Sequence, residues 1–229
     1  MKSNKNKLAQ FEAIHSFANV FEHTDWLTEE VMVQQGTTVL LKSHWQQYFG
    51  NEAPITLEVA CGKGEYTLAL AERHPDRNFV GIDLKGNRLW HGAKKALDKG
   101  LNNVAFLRCQ LLNITKFFQP KSVTSIWITF ADPYPNVSDE KRRLVSPRFL
   151  TLYKSIATAQ ATLHLKHDDD AYVQYAREQL QLKNAEELEY YADVHNGTCV
   201  DTLLTDVTTY YEKMHLDDGR SIKYVKWRL

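Results

Sequence analysis

The feature that most narrows the fold of this chain is an alternation. Short apolar runs at 55–60 (ITLEVA), 78–84 (NFVGIDL), 104–109 (VAFLRC) and 122–130 (SVTSIWITF) recur between helix-like or polar stretches. Such runs have the length of buried strands, and β-branched and aromatic residues dominate the fourth. Residues 65–73 have helical period, with Tyr66, Leu68, Ala69 and Leu70 apolar, and His74-Pro75-Asp76 stops them. Residues 85–99 read as a second helix, ended by Gly100. Ser146-Pro147 opens a third, through roughly residue 157, because a first turn tolerates proline. Residues 162–166 read as a fifth strand and 171–180 as a helix. The pattern predicts an α/β fold, a mostly parallel sheet with helices on both faces. Residues 202–211 and 222–229 read as strands that pair with each other as an antiparallel end of the sheet. Residues 1–50 read as an N-terminal extension, helical over 37–48, and residues 51–229 as the principal domain.

Composition excludes several classes. Hydrophobic residues make up 43% and charged residues 24%, enough for a sizeable core and too apolar for wholesale disorder. No run is long and apolar enough for a bilayer span, and no signal peptide is expected at the N-terminus. Lys+Arg and Asp+Glu are both 28, which argues mildly against a nucleic-acid binder, although a local basic patch suffices for one. Cys61, Cys109 and Cys199 form no C-x-x-C pair, so neither a disulfide framework nor a cysteine zinc site is expected. The histidines lack ligand spacing, no metal is expected, and a reducing cytoplasm is the simplest compartment. The number of subunits stays open.

The sharpest motif is Glu58-Val59-Ala60-Cys61-Gly62-Lys63-Gly64, between the first strand and its helix. Glycines there permit a tight turn and close approach to a ligand. Asp83 ends the next strand, where a carboxylate can accept from ribose hydroxyls. A dinucleotide fingerprint needs a third glycine where the chain has Thr67, which disfavours NAD. Glu58 suits a cationic, amino-acid-bearing ligand better than a diphosphate. The pattern resembles class I methyltransferases, which use S-adenosylmethionine. Gln110 follows the third strand, where an amide could meet an adenine edge. Asp132 follows the fourth, in Asp132-Pro133-Tyr134-Pro135, a loop stiffened by its prolines. Arg142, Arg143 and Arg148, with Lys223, Lys226 and Arg228, are candidate phosphate contacts, against the plainer reading of a solvated face.

The strings GIDLKGNR, ITFADPYP, EKRRLVSPRFLTLY, LHLKHD and TTYYE resemble, in order and spacing, the bacterial tRNA (guanine-N7-)-methyltransferase family. The resemblance runs from about Ile55 to the C-terminus. It implies a Rossmann-like class I methyltransferase fold and methylation of guanine 46 in the tRNA variable loop. It further implies that Glu58, Asp83, Gln110 and Asp132, with the loop glycines Gly62 and Gly64, hold S-adenosylmethionine or line the active site. Asp168, Thr209, Tyr211 and Glu212 are implied to face the guanine. N7 carries a lone pair and no proton, so no general base is needed, and Asp132 and Asp168 are the candidates to stabilise the cationic product. Glu212 is a candidate reader of the Watson–Crick edge, and Tyr134 or Tyr211 a candidate stacking partner.

Departures from the family pattern lie near the substrate. Asn136-Val137-Ser138-Asp139 replaces the usual lysines, Lys166-His167-Asp168 the usual K-T-D, and Met214 a usual basic residue. Ala157-Thr158-Ala159-Gln160 stands where a Pro-Gly-Gly turn is usual. Two other readings stay open: an amine methyltransferase, because Asp132-Pro133-Tyr134 is similar to a D-P-P-Y loop, and a non-catalytic RNA-binding relative.

Overall fold

The apolar runs become the strands of one sheet. In the computed structural model, which describes residues 2–34 and 36–229, the elements are α1 (Lys2–Ala13), β1 (Val20–Glu22), β2 (Glu30–Val33), β3 (Thr37–Leu40), α2 (Leu41–Phe49), β4 (Ile55–Val59), α3 (Glu65–Arg73), β5 (Asn78–Asp83) and α4 (Gly86–Asp98). They continue with β6 (Val104–Arg108), β7 (Val123–Thr129), α5 (Pro147–Ile156), β8 (Ala157–His167), α6 (Asp170–Leu182), β9 (Glu186–Tyr191), α7 (Thr202–Asp206), α8 (Tyr210–Asp217) and β10 (Lys223–Arg228). Strand order is β3-β2-β1-β6-β5-β4-β7-β8-β10-β9. The stretch β1-β6-β5-β4-β7-β8 is parallel, β2 and β3 add to β1 as antiparallel strands, and β10 runs antiparallel between β8 and β9. The order reverses direction between β4 and β7, so a crevice opens at their carboxyl ends.

Burial on both faces explains the continuous apolar strands. On one face Leu57, Val80 and Ile126 pack with Trp45 and Phe149. On the other, Phe79, Phe106 and Trp127 pack with Tyr66 and Leu89. The N-terminal residues are joined to this sheet: β1 pairs with β6 from Val20↔Phe106 to Glu22↔Arg108. Among the described residues, no helix is long and apolar enough to cross a membrane.

Three expectations change. Residues 202–211 are not a strand. The Asp201 side chain accepts from Leu203 N at 2.9 Å, and Thr209 Oγ1 accepts from Glu212 N at 3.1 Å, so these acids and hydroxyls cap two short helices instead. The partner of β10 on that side is β9, a charged edge strand whose Glu186, Glu187 and Glu189 obscure any apolar alternation. Residues 37–48 divide into β3 and the start of α2, with Leu40 extended at the junction. Finally, α5 passes directly into β8. Ala157 is already extended while its N–H still bonds Tyr153 O, so no turn separates the elements and none of the turn's glycines is needed.

Candidate functional site

The loop after β4 is shaped by left-handed backbone. Ala60, Gly62 and Gly64 have φ of 54°, 57° and 68°. Cys61 N bonds Ile82 O at 2.9 Å and Gly64 N bonds Cys61 O at 2.8 Å, closing the turn before α3. A Cβ on Gly64 would lie 2.5 Å from Phe106 Cε1, so the loop rides directly on the core ring of β6. Gly64→Ala therefore combines backbone strain with overpacking, at about 1–3 kcal/mol. The expected result is a Tm lower by roughly 3–10 °C. A wild-type Tm in thermal unfolding would show that the ring does not pin this loop.

Two acids brace the loop. Glu58 is buried, and its carboxylate accepts from Thr67 N at 2.7 Å, Thr67 Oγ1 at 2.5 Å and Thr129 Oγ1 at 3.0 Å. It thus ties β4 to α3 and β7. Burial pushes its pKa up to about 7 against the pull of these hydrogen bonds. Thr67, which broke the dinucleotide pattern, is the residue that holds Glu58. Asp83 accepts from Gly62 N at 2.9 Å and from Lys85 N at 2.8 Å, which fixes its carboxylate at the end of β5.

Across the crevice, β7 ends in another strained turn, with Phe130 at φ 48° and Tyr134 at φ 45°. His167 secures it. Its Nδ1 accepts from Asp169 N at 2.9 Å, so the proton sits on Nε2, which donates to Ala131 O at 2.7 Å. Burial lowers the His167 pKa and keeps the ring neutral. Arg143 Nε donates to Pro133 O at 3.2 Å and Nη2 to Tyr134 O at 3.0 Å. Arg142 pairs with Asp139 at 3.2 Å and lies 4.3 Å from the Tyr134 ring centre. The Asp132 carboxylate is exposed to the crevice and unpaired among the described residues.

The third wall comes from β8 and the C-terminal segment. Asp168 Oδ2 accepts from Arg220 Nη1 at 2.7 Å, and Oδ1 lies 3.4 Å from both His167 Nδ1 and His215 Nε2. Burial raises the Asp168 pKa, but the Arg220 hydrogen bond is the chief opposing cause, and the carboxyl is held below its ordinary value. Thr209 and Glu212 close a capping box at the start of α8. Glu212 itself is wholly buried, 2.5 Å from Lys166 Nζ and 2.8 Å from His195 Nε2. Lys166 also donates to Tyr66 OH at 2.8 Å and Leu204 O at 2.6 Å. At the rim, Arg88 donates to Tyr211 OH at 3.3 Å, and Tyr210 N donates to the Glu65 carboxylate.

These walls enclose a cleft of about 420 Å³ that brings together Glu58, Gly62, Asp83, Asp132, Asp168, Thr209 and Tyr211. Other sequence candidates lie elsewhere. Gly64 sits beneath the loop, and Glu212 sits under α8 with its carboxylate spent on buried partners, away from any base edge. Gln110 is exposed past β6, outside the cleft lining. Arg142 and Arg143 support the Asp132 loop from outside, and Arg148 lies over Phe149. Lys223 is buried on Asp168 O at 2.9 Å, and Arg228 pairs with Glu186, so neither is a free phosphate contact. Sequence reasoning missed Arg88, His215 and Arg220, which line the cleft. Their elements are far apart in the chain, and no local spacing signals their meeting. Among the described residues no cluster suited to a metal occurs.

The comparisons agree with this geometry. A family model described as "Putative methyltransferase" matches residues 52–224. The tRNA (guanine-N(7)-)-methyltransferase of Christiangramia forsetii is 38% identical over 228 residues, covering 99% of each chain. The enzyme of that name from Bacteroides thetaiotaomicron is 37% identical, covering 98% of this chain and 86% of its own. A solved structure titled "Structure of an Antibiotic Related Methyltransferase" matches with a TM-score of 0.64 at 18% identity, over 84% of this chain and 96% of that one, a likeness of fold. A shared Rossmann-like sheet, a glycine-turn cleft at its switch point and near-complete alignment at this identity place the chain in the tRNA (guanine-N7-)-methyltransferase family.

Proposed function

We propose that this protein transfers a methyl group from S-adenosylmethionine to N7 of guanine 46 in the variable loop of tRNA, in the cytoplasm. The supporting observation is one cleft with two unlike ends. One end has the left-handed glycine turn with Glu58 and Asp83; the other has two carboxylates, Asp132 and Asp168. The residues present fit the donor. A Cβ at Gly62 would meet only open space, so the turn faces the cleft with bare backbone, and Asp83 keeps acceptor lone pairs for ribose hydroxyls.

When bound, S-adenosylmethionine supplies an electrophilic methyl on a cationic sulfur, open to in-line attack by the N7 lone pair. The chain's part is placement and electrostatics. No proton is removed, so no residue acts as general base. Asp132 faces the crevice without a partner and stabilises the positive charge that develops on the purine. Asp168, held as a carboxylate, accepts from the donors of the guanine edge. His167 and Arg143 keep the Asp132 loop fixed, so little reorganisation accompanies the reaction. Tyr211 at the rim stacks on the extruded base. Arg148, exposed at the start of α5, meets RNA phosphates; β1, β2 and β3 extend the sheet from its other edge.

Glu58 makes donor binding depend on pH. Its pKa is pushed up to about 7, and a cationic donor favours its ionised form. Below pH 7, binding therefore expels a proton. Affinity is expected to tighten as pH rises from 6 to about 7 and to level off above, by up to about tenfold per unit. Titration calorimetry in buffers of different ionisation enthalpy reads that proton. In Glu58→Gln the dependence disappears; its persistence would move the titrating group elsewhere.

The function is tested by incubating the purified protein with methyl-labelled S-adenosylmethionine and unmodified tRNA, then analysing nucleosides. Label in 7-methylguanosine is the expected result. Label on an exocyclic amine, or none with protein that binds tRNA, would replace this reading with the amine-methylating or the non-catalytic one.

A further inference from the structure

Arg220 follows Gly219, a left-handed turn residue (φ 76°) after α8, and reaches back into the cleft. Its side chain is 52% exposed, yet its Nη1 sits 2.7 Å from the carboxylate of Asp168, whose side chain is only 6% exposed. A nearly buried carboxylate without a donor is costly. His167 cannot supply one, because its Nδ1 is spent accepting from Asp169 N. Arg220 fills that need from solvent. Beside it, His215 stacks on Phe130 at 5.9 Å, and its Nδ1 is buried without a hydrogen-bond partner among the described residues. The other ring nitrogen, Nε2, lies 3.4 Å from Asp168 Oδ1, which leaves Arg220 Nη1 as the short contact on this carboxylate.

The occupant's chemistry indicates which ligand. A guanidinium presents a flat edge of adjacent N–H donors. Guanine presents the same array, N1–H beside the 2-amino group, whereas adenine offers an acceptor at N1. One donor of the guanidinium, Nη1, meets Asp168, while Nη2 lies 3.6 Å from Asp218, and a carboxylate that accepts from such an N–H accepts equally from the guanine edge. We propose that Arg220 is an internal stand-in for the guanine base, occupying Asp168 until the base displaces it. The inference rests on the reading of the cleft as a guanine site. A half-exposed ion pair is weak, so a base with the same donor edge can exchange for it. The exchange lowers apparent affinity for RNA by the fraction of time the corner is taken.

Steady-state kinetics on unmodified tRNA with Arg220→Ala, Arg220→Gln and Arg220→Lys test this. In Arg220→Ala and Arg220→Gln, kcat/KM is expected to rise about threefold, the gain lying in KM. Arg220→Lys keeps the charge without the flat edge and is expected to show most of the same gain. A raised or unchanged KM in Arg220→Ala, or wild-type behaviour in Arg220→Lys, would overturn the proposal while leaving the methyl-transfer reading intact. If the wild-type protein methylates no guanine, the reading of the cleft fails and the stand-in role falls with it. Arg220→Ala leaves the nearly buried Asp168 without its donor, so its Tm is expected to fall; Arg220→Lys, which keeps a cation at this carboxylate, carries the test if Arg220→Ala fails to fold.

Discussion

Asp132→Ala is expected to lower kcat by about 10²–10³-fold, the range seen when one preorganised electrostatic group is removed from an active site. The Tm is expected to stay near wild type. The reason lies in how the residue is held. The loop's shape comes from its neighbours: His167 bonds Ala131 O, and Arg143 bonds Pro133 O and Tyr134 O. The Asp132 side chain is exposed and bears none of this load. Asp132→Asn, nearly the same shape without the charge, separates position from electrostatics and is expected to show most of the loss. Turnover at the wild-type rate in either variant would remove Asp132 from the mechanism.

The largest effect on stability is expected at Lys166 and Glu212, fully buried and 2.5 Å apart. Burial lowers the Lys166 pKa while Glu212 pulls it up, so the ammonium depends on its partner. Lys166→Met leaves Glu212 with only His195 and the Thr209 N–H, and Glu212→Leu leaves Lys166 among Tyr66 and carbonyl oxygens. Breaking such a pair costs about 3–5 kcal/mol. For a chain of this size the Tm is expected to fall by roughly 6–20 °C in either single variant. The double variant Lys166→Met/Glu212→Leu removes both charges together and is expected to regain part of the loss. Full Tm in both single variants, measured by calorimetry, would show that the pair does not anchor α8 to β8. With that anchor go the rim residues Tyr210 and Tyr211, so donor and RNA affinities are expected to weaken along with stability.

Much of the architecture was readable because its parallel strands are buried on both faces, which writes them as continuous apolar runs. The strand ends then located Asp83 and Asp132, the glycine motif Glu58 and the family resemblance Asp168 around one crevice, while Gln110, placed by the same strand-end logic, lies outside it. Failures fall where polar side chains, rather than apolar period, set the structure. Thr209 and Asp201 look like members of a β-rich stretch, but their oxygens cap helices. The β9 edge is too charged to look like a strand. Glu212 lies in a motif that suggests ligand contact, yet it is buried against Lys166, a pairing between residues distant in sequence that no local pattern records. Arg220 is hidden for the same reason: its importance comes from the fold that carries the turn after α8 back onto Asp168.

Crystals grown with S-adenosylhomocysteine provide the most direct measurement of donor placement. The expected density has the ribose at Asp83, the homocysteine moiety over the turn from Ala60 to Gly64, and the sulfur facing the Asp132 side of the cleft. Density in any other cavity, or a cleft left empty by a protein that binds the compound in solution, would contradict the assignment of this crevice as the site of methyl transfer.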